Sequence, residues 1–326
     1  GKSMEYVFGT PIPLPWLLAD LLTVALSVIV VIFAVRRTRH PASVILECLA
    51  FVMLYAGLFE NFAVVNGWYV YGRSLLMFGG VPLSVPLLEM DVLILGLWLL
   101  EKMKMPDWAK PLVIGLFGML QDLSLDPYAV QQVNTVEGVT SGRWTWLLEK
   151  GATQMYSIPV YNFPGWMLIM LYGAIYLLIG RGLFKRSGYK TWVGWVYPLA
   201  AMLLALITMV TPLSQFLLWL APLGSKGTDF EWVMFAFHLA VPMLLLLFLW
   251  RGKMTGLFIF SADWPLFLVP VLFHLADLFW IIAGGFTNVL WLALLATVVH
   301  GALLAWIFAG GNRQTKTGDS VYTYSP

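Results

Sequence analysis

Glu60, Glu89, Asp91 and Asp122 each stand inside an otherwise apolar stretch of the chain. Charged groups in such surroundings are costly to keep and are by default functional candidates, as proton donors, proton acceptors or partners of a charge. Asp20, His238, His274 and Asp277 belong to the same group, and Glu47 and His300 add two more. Glu89 and Asp91 are two residues apart and cannot share a helical face, so they are expected to do different things. His274 and Asp277 are three apart, share a face, and read first as a hydrogen-bonded helix-packing pair. Asp20 follows a Pro15-Trp16 entry and is open to a plainer reading, an acid hydrated at a helix end. The chemistry these residues could do is acid–base chemistry. The 4 histidines lack zinc-ligand spacing, and Cys48 is the single cysteine, so no metal site or disulfide framework is expected. No dinucleotide, Walker-type or GxSxG segment is present.

The elements that must position these acids are membrane helices. Of 326 residues, 60% are hydrophobic and 11% charged. A soluble domain carries about 25% charged residues. Apolar runs predict an all-α polytopic membrane protein of about nine transmembrane helices, at 15–35, 43–65, 85–100, 111–126, 164–180, 192–211, 232–250, 264–283 and 288–309. The third and fourth are short and carry acids. The first reads as a retained helix rather than a cleaved signal peptide. Gly1 to Ser3, ahead of Met4, read as appended residues. One transmembrane domain is expected over 4–312, with a polar cytoplasmic tail at 313–326. A formal charge of +2 gives no basis for nucleic-acid binding.

Basic residues follow the odd-numbered spans: Arg36, Arg37 and Arg39; Lys102, Lys104 and Lys110; Arg181, Lys185, Arg186 and Lys190; Arg251 and Lys253; Arg313 and Lys316. The positive-inside rule then predicts an outside N-terminus and a cytoplasmic C-terminus, in a multi-pass protein of the cell membrane. That orientation puts Asp20, Glu60, Glu89, Asp91, Asp122, His238 and Asp277 in one layer on the outer side. The connection 127–163, with Trp144, Trp146, Tyr156 and Tyr161, is expected to lie at the interface, folded over the mouth of the bundle. The 212–231 connection is expected to re-enter the membrane or lie flat on it.

A signature runs through 60–166: E-N-F-A-V-V-N-G-W-Y-V-Y-G (60–72), G-G-V-P-L-S-V-P-L (79–87), Q-D-L-S-L-D-P-Y-A-V (121–130), G-R-W-T-W (142–146) and Y-S-I-P-V-Y-N-F-P-G-W (156–166). In this order the blocks resemble the carotenoid-biosynthesis membrane proteins that include bisanhydrobacterioruberin and γ-carotene end-group hydratases. Two departures stand out. The spacer before W-T-W is lengthened by N-T-V-E-G-V-T-S (134–141), and Tyr156-Ser157-Ile158-Pro159 replaces a Y-x-G-V-P form. After Gly180 the likeness is one of hydropathy.

The resemblance implies hydration of a terminal isoprenoid double bond to a tertiary alcohol, with no cofactor and no metal. An alkene is a poor base and needs a carboxylic acid kept protonated by an apolar setting. The tertiary cation that follows needs negative charge and aromatic faces. A second carboxylate must take a proton from water. Asp122 and Asp126 are the candidate pair, with Glu60 as partner acid. Pro127 is expected to end the helix at Asp126 and turn that side chain into the mouth. Trp144, Trp146 and Trp166 would wall the pocket, and Asn162 would hold the water or a backbone carbonyl. Glu89, Asp91, Tyr69, Tyr71 and Tyr156 complete the candidate substrate-binding set. A plainer reading of Asp126-Pro127 and Asn162, as helix-end caps, stays open. The partners implied are an apolar carotenoid or prenyl-lipid substrate and membrane lipids. The rival readings are an enzyme of another prenyl lipid and a proton-coupled transporter. A transporter fits less well, because no inverted repeat is visible.

Overall fold

A backbone in hydrocarbon must satisfy its own N–H and C=O groups, so the apolar runs of this chain become helices. The computed structural model describes residues 4–7, 10–136, 139–221, 226–250 and 258–313. Its helices are α1 (Leu14–Val35), α2 (Pro41–Val65), α3 (Ser84–Lys102), α4 (Lys110–Ala129), α5 (Asn162–Arg186), α6 (Thr191–Met209), α7 (Pro212–Trp219), α8 (Phe230–Leu249), α9 (Phe260–Gly284) and α10 (Leu290–Arg313). Among the described residues, 7 helices are long and apolar enough to cross a membrane: α1, α2, α5, α6, α8, α9 and the segment 287–310 that contains α10. Gly1 to Ser3, Glu137 and Gly138 of the spacer, Arg251, Lys253, Lys316 and the rest of the tail beyond Arg313 lie outside the described residues.

α3 and α4 fall outside that count because they carry acids. They have 19 and 20 residues, and at 1.5 Å per residue each is about 30 Å long. Every residue from 88 to 100 and from 113 to 129 is buried. α4 is the axis of the bundle, packed by α3, α5, α8, α9 and α10. A helix wrapped by other helices presents no face to lipid, so it can hold polar side chains that a peripheral helix cannot. The peripheral helices show the reverse: Trp192, Ile207, Phe237, Phe279, Ile282 and Val298 are exposed apolar side chains. The protein is a polytopic, mostly helical membrane protein.

Two local features set the helices that carry acids. α2 contains a π-helical stretch, Phe51–Ala56, just before Glu60. A Cβ on Gly57 would sit 2.3 Å from the Val52 carbonyl oxygen and 2.6 Å from the Phe78 ring, so this turn admits only glycine. On α4, Gly115 and Gly118 face Met167 and Met170 of α5, where added Cβ atoms would lie 2.7 and 2.9 Å from methionine carbons. Small residues at this seam let the two helices approach closely.

One expectation is corrected here, and two connections take a defined form. α4 continues through Asp126-Pro127 to Ala129, with the Val130 N–H closing on the Asp126 carbonyl at 3.2 Å. Pro127 forgoes only its own N–H bond, and the buried setting holds the turn. The 212–231 connection forms a short helix, α7, stopped by Leu220 in a left-handed conformation, φ 51°. The connection 127–163 is built from short antiparallel strand pairs: Val133–Val136 with Val139–Gly142, Trp144–Trp146 with Tyr69–Tyr71, and Gln154–Met155 with Ile158–Pro159. Tyr156 and Ser157, at φ 53° and 63°, are the turn of the last pair.

The end of the bundle away from these strands is fastened by ion pairs. Arg181 of α5 grips Glu47 of α2 through two bonds, 2.8 and 2.6 Å, and the Tyr197 phenol donates to the same carboxylate at 2.7 Å. Asp263 at the start of α9 accepts from Lys102 at 2.6 Å and Arg37 at 3.2 Å.

Candidate functional site: a carboxyl-lined cavity

The Y-V-Y and W-T-W motifs are the two strands of one ribbon. Tyr69 pairs with Trp146, Val70 with Thr145 and Tyr71 with Trp144. Alternate residues of a strand share a face, so Tyr69, Tyr71, Trp144 and Trp146 all turn toward the bundle. Their rings meet edge to face, Tyr69 against Trp146 at 4.7 Å and Tyr71 against Trp144 at 5.9 Å. Tyr161 continues the aromatic wall, edge-on to Trp219 at 4.9 Å. Burial pushes its phenol up to about 12. Beneath this wall is a cavity of about 980 Å³, at the upper end of the range for small-molecule sites. Trp166 of α5 lines its side.

Two pairs of carboxyls stand at this cavity. Asp122 and Asp126 are one helical turn apart on α4, so they share a face. The two N–H groups of a single amide, Asn162 at the start of α5, reach both of them at 2.7 Å. The Trp144 indole N–H donates to the other oxygen of Asp126. Asp126 and Asn162 line the cavity, and Asp122 sits one step behind them with no solvent exposure. Asn162 therefore holds the acids themselves through its amide nitrogen. The second pair joins α2 to α3: Glu60 faces the cavity, and Glu89 lies behind it, fully buried with neither oxygen partnered among the described residues. The Tyr69 and Tyr71 phenols both donate to Glu60, the latter at 3.0 Å. Burial, and then the adjacent Glu60, hold both phenols well above their ordinary range, so they remain donors.

Asp122 and Asp126 are thus held against one amide nitrogen, and the second oxygen of Asp122 has no partner among the described residues. Two carboxylates held against one amide repel each other, which favours a proton on one of them. No ion pair among the described residues involves Glu60, Glu89, Asp122 or Asp126. The donors that surround them are neutral: phenol, indole and amide. The arrangement can hand over one proton and accept another beside a large apolar surface. Among the described residues no three histidine, cysteine or acidic side chains converge to hold a metal ion.

Four of the residues singled out from the sequence lie elsewhere. Asp91 accepts the Ser27 hydroxyl of α1 at 2.8 Å and faces away from the main cavity, as its two-residue offset from Glu89 requires. Tyr156, at its hairpin turn, donates to the Asn288 carbonyl at 3.0 Å and accepts from the Trp291 indole at 2.8 Å, clear of the cavity. Asp20 is buried, accepts the Ser74 hydroxyl and stands 4.0 Å from Arg143. Among the described residues, His238 bonds only the Met234 carbonyl of its own helix, at 2.6 Å.

The sequence reading did not assign Arg143, Glu231 or Asp277 to the cavity, yet all three line it. Asp277 was read as a helix-packing partner of His274. Instead, Ser124 of α4 stands between them, 2.7 Å from the His274 Nδ1 and 3.1 Å from Asp277. A serine two residues from Asp122, on the opposite face of α4, carries no pattern that would have marked it.

The fold and the site define a polytopic helical membrane protein with a large aromatic-walled cavity, at which the carboxyls of residues 60, 89, 122 and 126 make no ion pair among the described residues. A family model, carotenoid biosynthesis protein, matches residues 18–225, more than half of the chain. The chain belongs to that family, and its role is in carotenoid biosynthesis. The match runs past Gly180 to cover α6 and α7, where motif reading had found only shared hydropathy. No curated protein and no solved structure matches the chain.

Proposed function

We propose that this protein is a membrane-embedded hydratase that adds water to a terminal isoprenoid double bond of a carotenoid. The observation that carries the reading is the pair of carboxyl pairs, Glu60–Glu89 and Asp122–Asp126, with no cation against them and an aromatic wall above. One pair gives its proton to the less substituted alkene carbon, which leaves a tertiary cation. The electron-rich faces of Trp144, Trp146 and Trp166 and the remaining carboxylates stabilise that charge. Water adds to the cation, and the other pair takes the proton that water loses. The product is a tertiary alcohol, and the protein ends the cycle with as many protons as it began.

The nine-span reading supports the same picture. With α3 and α4 counted as spans, an outside N-terminus in the cell membrane opens the cavity on the outer side. The substrate's polyene tail then stays among the helices or in lipid while one end reaches the acids.

The test is expression in cells that accumulate linear carotenoids, followed by mass analysis of the extracted pigments. The expected result is a gain of one water per modified end, lost with Asp122→Asn. Unchanged pigments alongside well-folded protein would contradict the reading and turn attention to other prenyl lipids.

A further inference from the structure

Asp277 lines the same cavity as Glu60 and Asp126, from α9, but belongs to a separate hydrogen-bonded chain. The Tyr128 phenol donates to one of its oxygens at 2.9 Å and Ser124 Oγ lies 3.1 Å from the other. Ser124 Oγ is also 2.7 Å from His274 Nδ1, and His274 Nε2 is 2.8 Å from His300 Nδ1 on α10. His300 is buried, stacked on Phe117 at 5.1 Å, and lines a second cavity of about 20 Å³. Both polar atoms of the Gln121 amide and one oxygen of Asp91, which also line that small cavity, have no protein partner. A space of this size, with these polar atoms at an otherwise apolar wall, fits about one water molecule.

We propose that Asp277, Ser124, His274 and His300 form a proton relay between the main cavity and the interior of the bundle. The heavy atoms accommodate two proton settings. In the first, Asp277 is a carboxylate that accepts from Ser124, Ser124 accepts from the His274 Nδ1–H, and His274 Nε2 accepts from the His300 Nδ1–H. A proton added at His300 Nε2 converts this into the second. The His300 Nδ1 proton passes to His274 Nε2, the His274 Nδ1 proton to Ser124, and the serine proton to Asp277. One proton enters at the imidazole and one becomes available at the cavity carboxyl, so the count balances. Every member of the chain can both donate and accept, which is what such a transfer requires.

Charged and titratable groups that face the relay are few. Arg143 and Tyr128 stand beside Asp277, and Asp91 of α3 shares the small cavity with His300. His274 and His300 lie on α9 and α10, beyond the matched residues 18–225, so the relay is a feature of this chain that the family match does not cover. Within the hydratase reading, on which its purpose rests, the relay is a proton store. It resets the cavity acids between turnovers without opening the bundle to water.

The test uses the full-length protein in lipid nanodiscs with ¹⁵N-labelled histidine. With only 4 histidines in the chain, His40, His238, His274 and His300, variant-by-variant assignment is direct. Between about pH 5 and about pH 8, the His274 and His300 nitrogen signals should change together as each neutral ring exchanges one tautomer for the other. Asp277→Asn, which cannot exchange a carboxyl proton, should abolish that joint change. Should that variant fail to fold, Ser124→Ala, which keeps the Tyr128 bond to Asp277, decides in its place. Signals that stay flat in the wild type, or that change just as much in the folded variant, would overturn the relay and leave a helix-packing cluster. No substrate enters this measurement, so a chain that fails to hydrate carotenoids contradicts the proposed function without deciding the relay.

Discussion

The acids at the two ends of this bundle live by different rules. Away from the cavity, Glu47 has Arg181, and Asp263 has Lys102 and Arg37. At the cavity, Glu60, Asp122 and Asp126 accept only from phenols, an indole and an amide among the described residues, and Glu89 lies buried behind Glu60 with neither oxygen partnered. An acid matched by a cation is fixed in charge and fastens helices together. An acid matched by neutral donors and a second acid is free to gain or lose a proton. The difference separates fastening from chemistry more sharply than burial does, since Glu47 and Asp122 are equally buried.

The comparison breaks most visibly through the cavity acids. Asp122→Asn and Glu60→Gln should each lower turnover by about 10²- to 10⁴-fold, with thermal melting in detergent close to wild type. Activity in both variants would show that these acids are not the proton donors and acceptors. At the other end the expectation reverses. Arg181→Ala leaves Glu47 buried without its cation and should cost about 3–5 kcal/mol of stability, read as a lower melting temperature. Replacing both partners, as Glu47→Gln with Arg181→Met, should recover much of that loss.

Smaller changes sharpen the picture. Asn162→Ala removes the donor to both Asp122 and Asp126 and should cost about 1–3 kcal/mol, together with a drop in turnover. Tyr71→Phe keeps the ring and removes one of two phenol bonds to Glu60, a loss of about 1 kcal/mol and of less than about tenfold in rate. Tyr156→Phe, out at its hairpin turn, should leave turnover unchanged.

Much of the fold was legible because hydropathy reports what faces lipid. The helices α1, α2, α5, α6, α8 and α9 start and stop within a few residues of the apolar runs. α3 and α4 read as weaker spans for the same reason that they matter: wrapped by neighbours, they need not be apolar. The ribbon was missed although its signal was present. Y-V-Y and W-T-W alternate with period two, as strands do, but tryptophan and tyrosine near a membrane also read as interfacial belts. Pro127 misled because the penalty it carries is local, whereas the buried packing of α4 is not. The acids at 60, 89, 122 and 126 stood out by contrast with their surroundings. Asp277 stood out too, but its partner Ser124 is a small residue in a buried run, and only the meeting of α4 with α9 reveals it.

The most direct test of proton transfer at the cavity is isotopic. Membranes that contain the protein are incubated with a linear carotenoid in D₂O enriched in H₂¹⁸O-derived oxygen, and the products are analysed by mass. The account predicts one ¹⁸O and one carbon-bound deuterium per modified end. Both labels should be lost in Asp122→Asn and Glu60→Gln. Carotenoid recovered without either label, from protein that melts as a folded species, would contradict it.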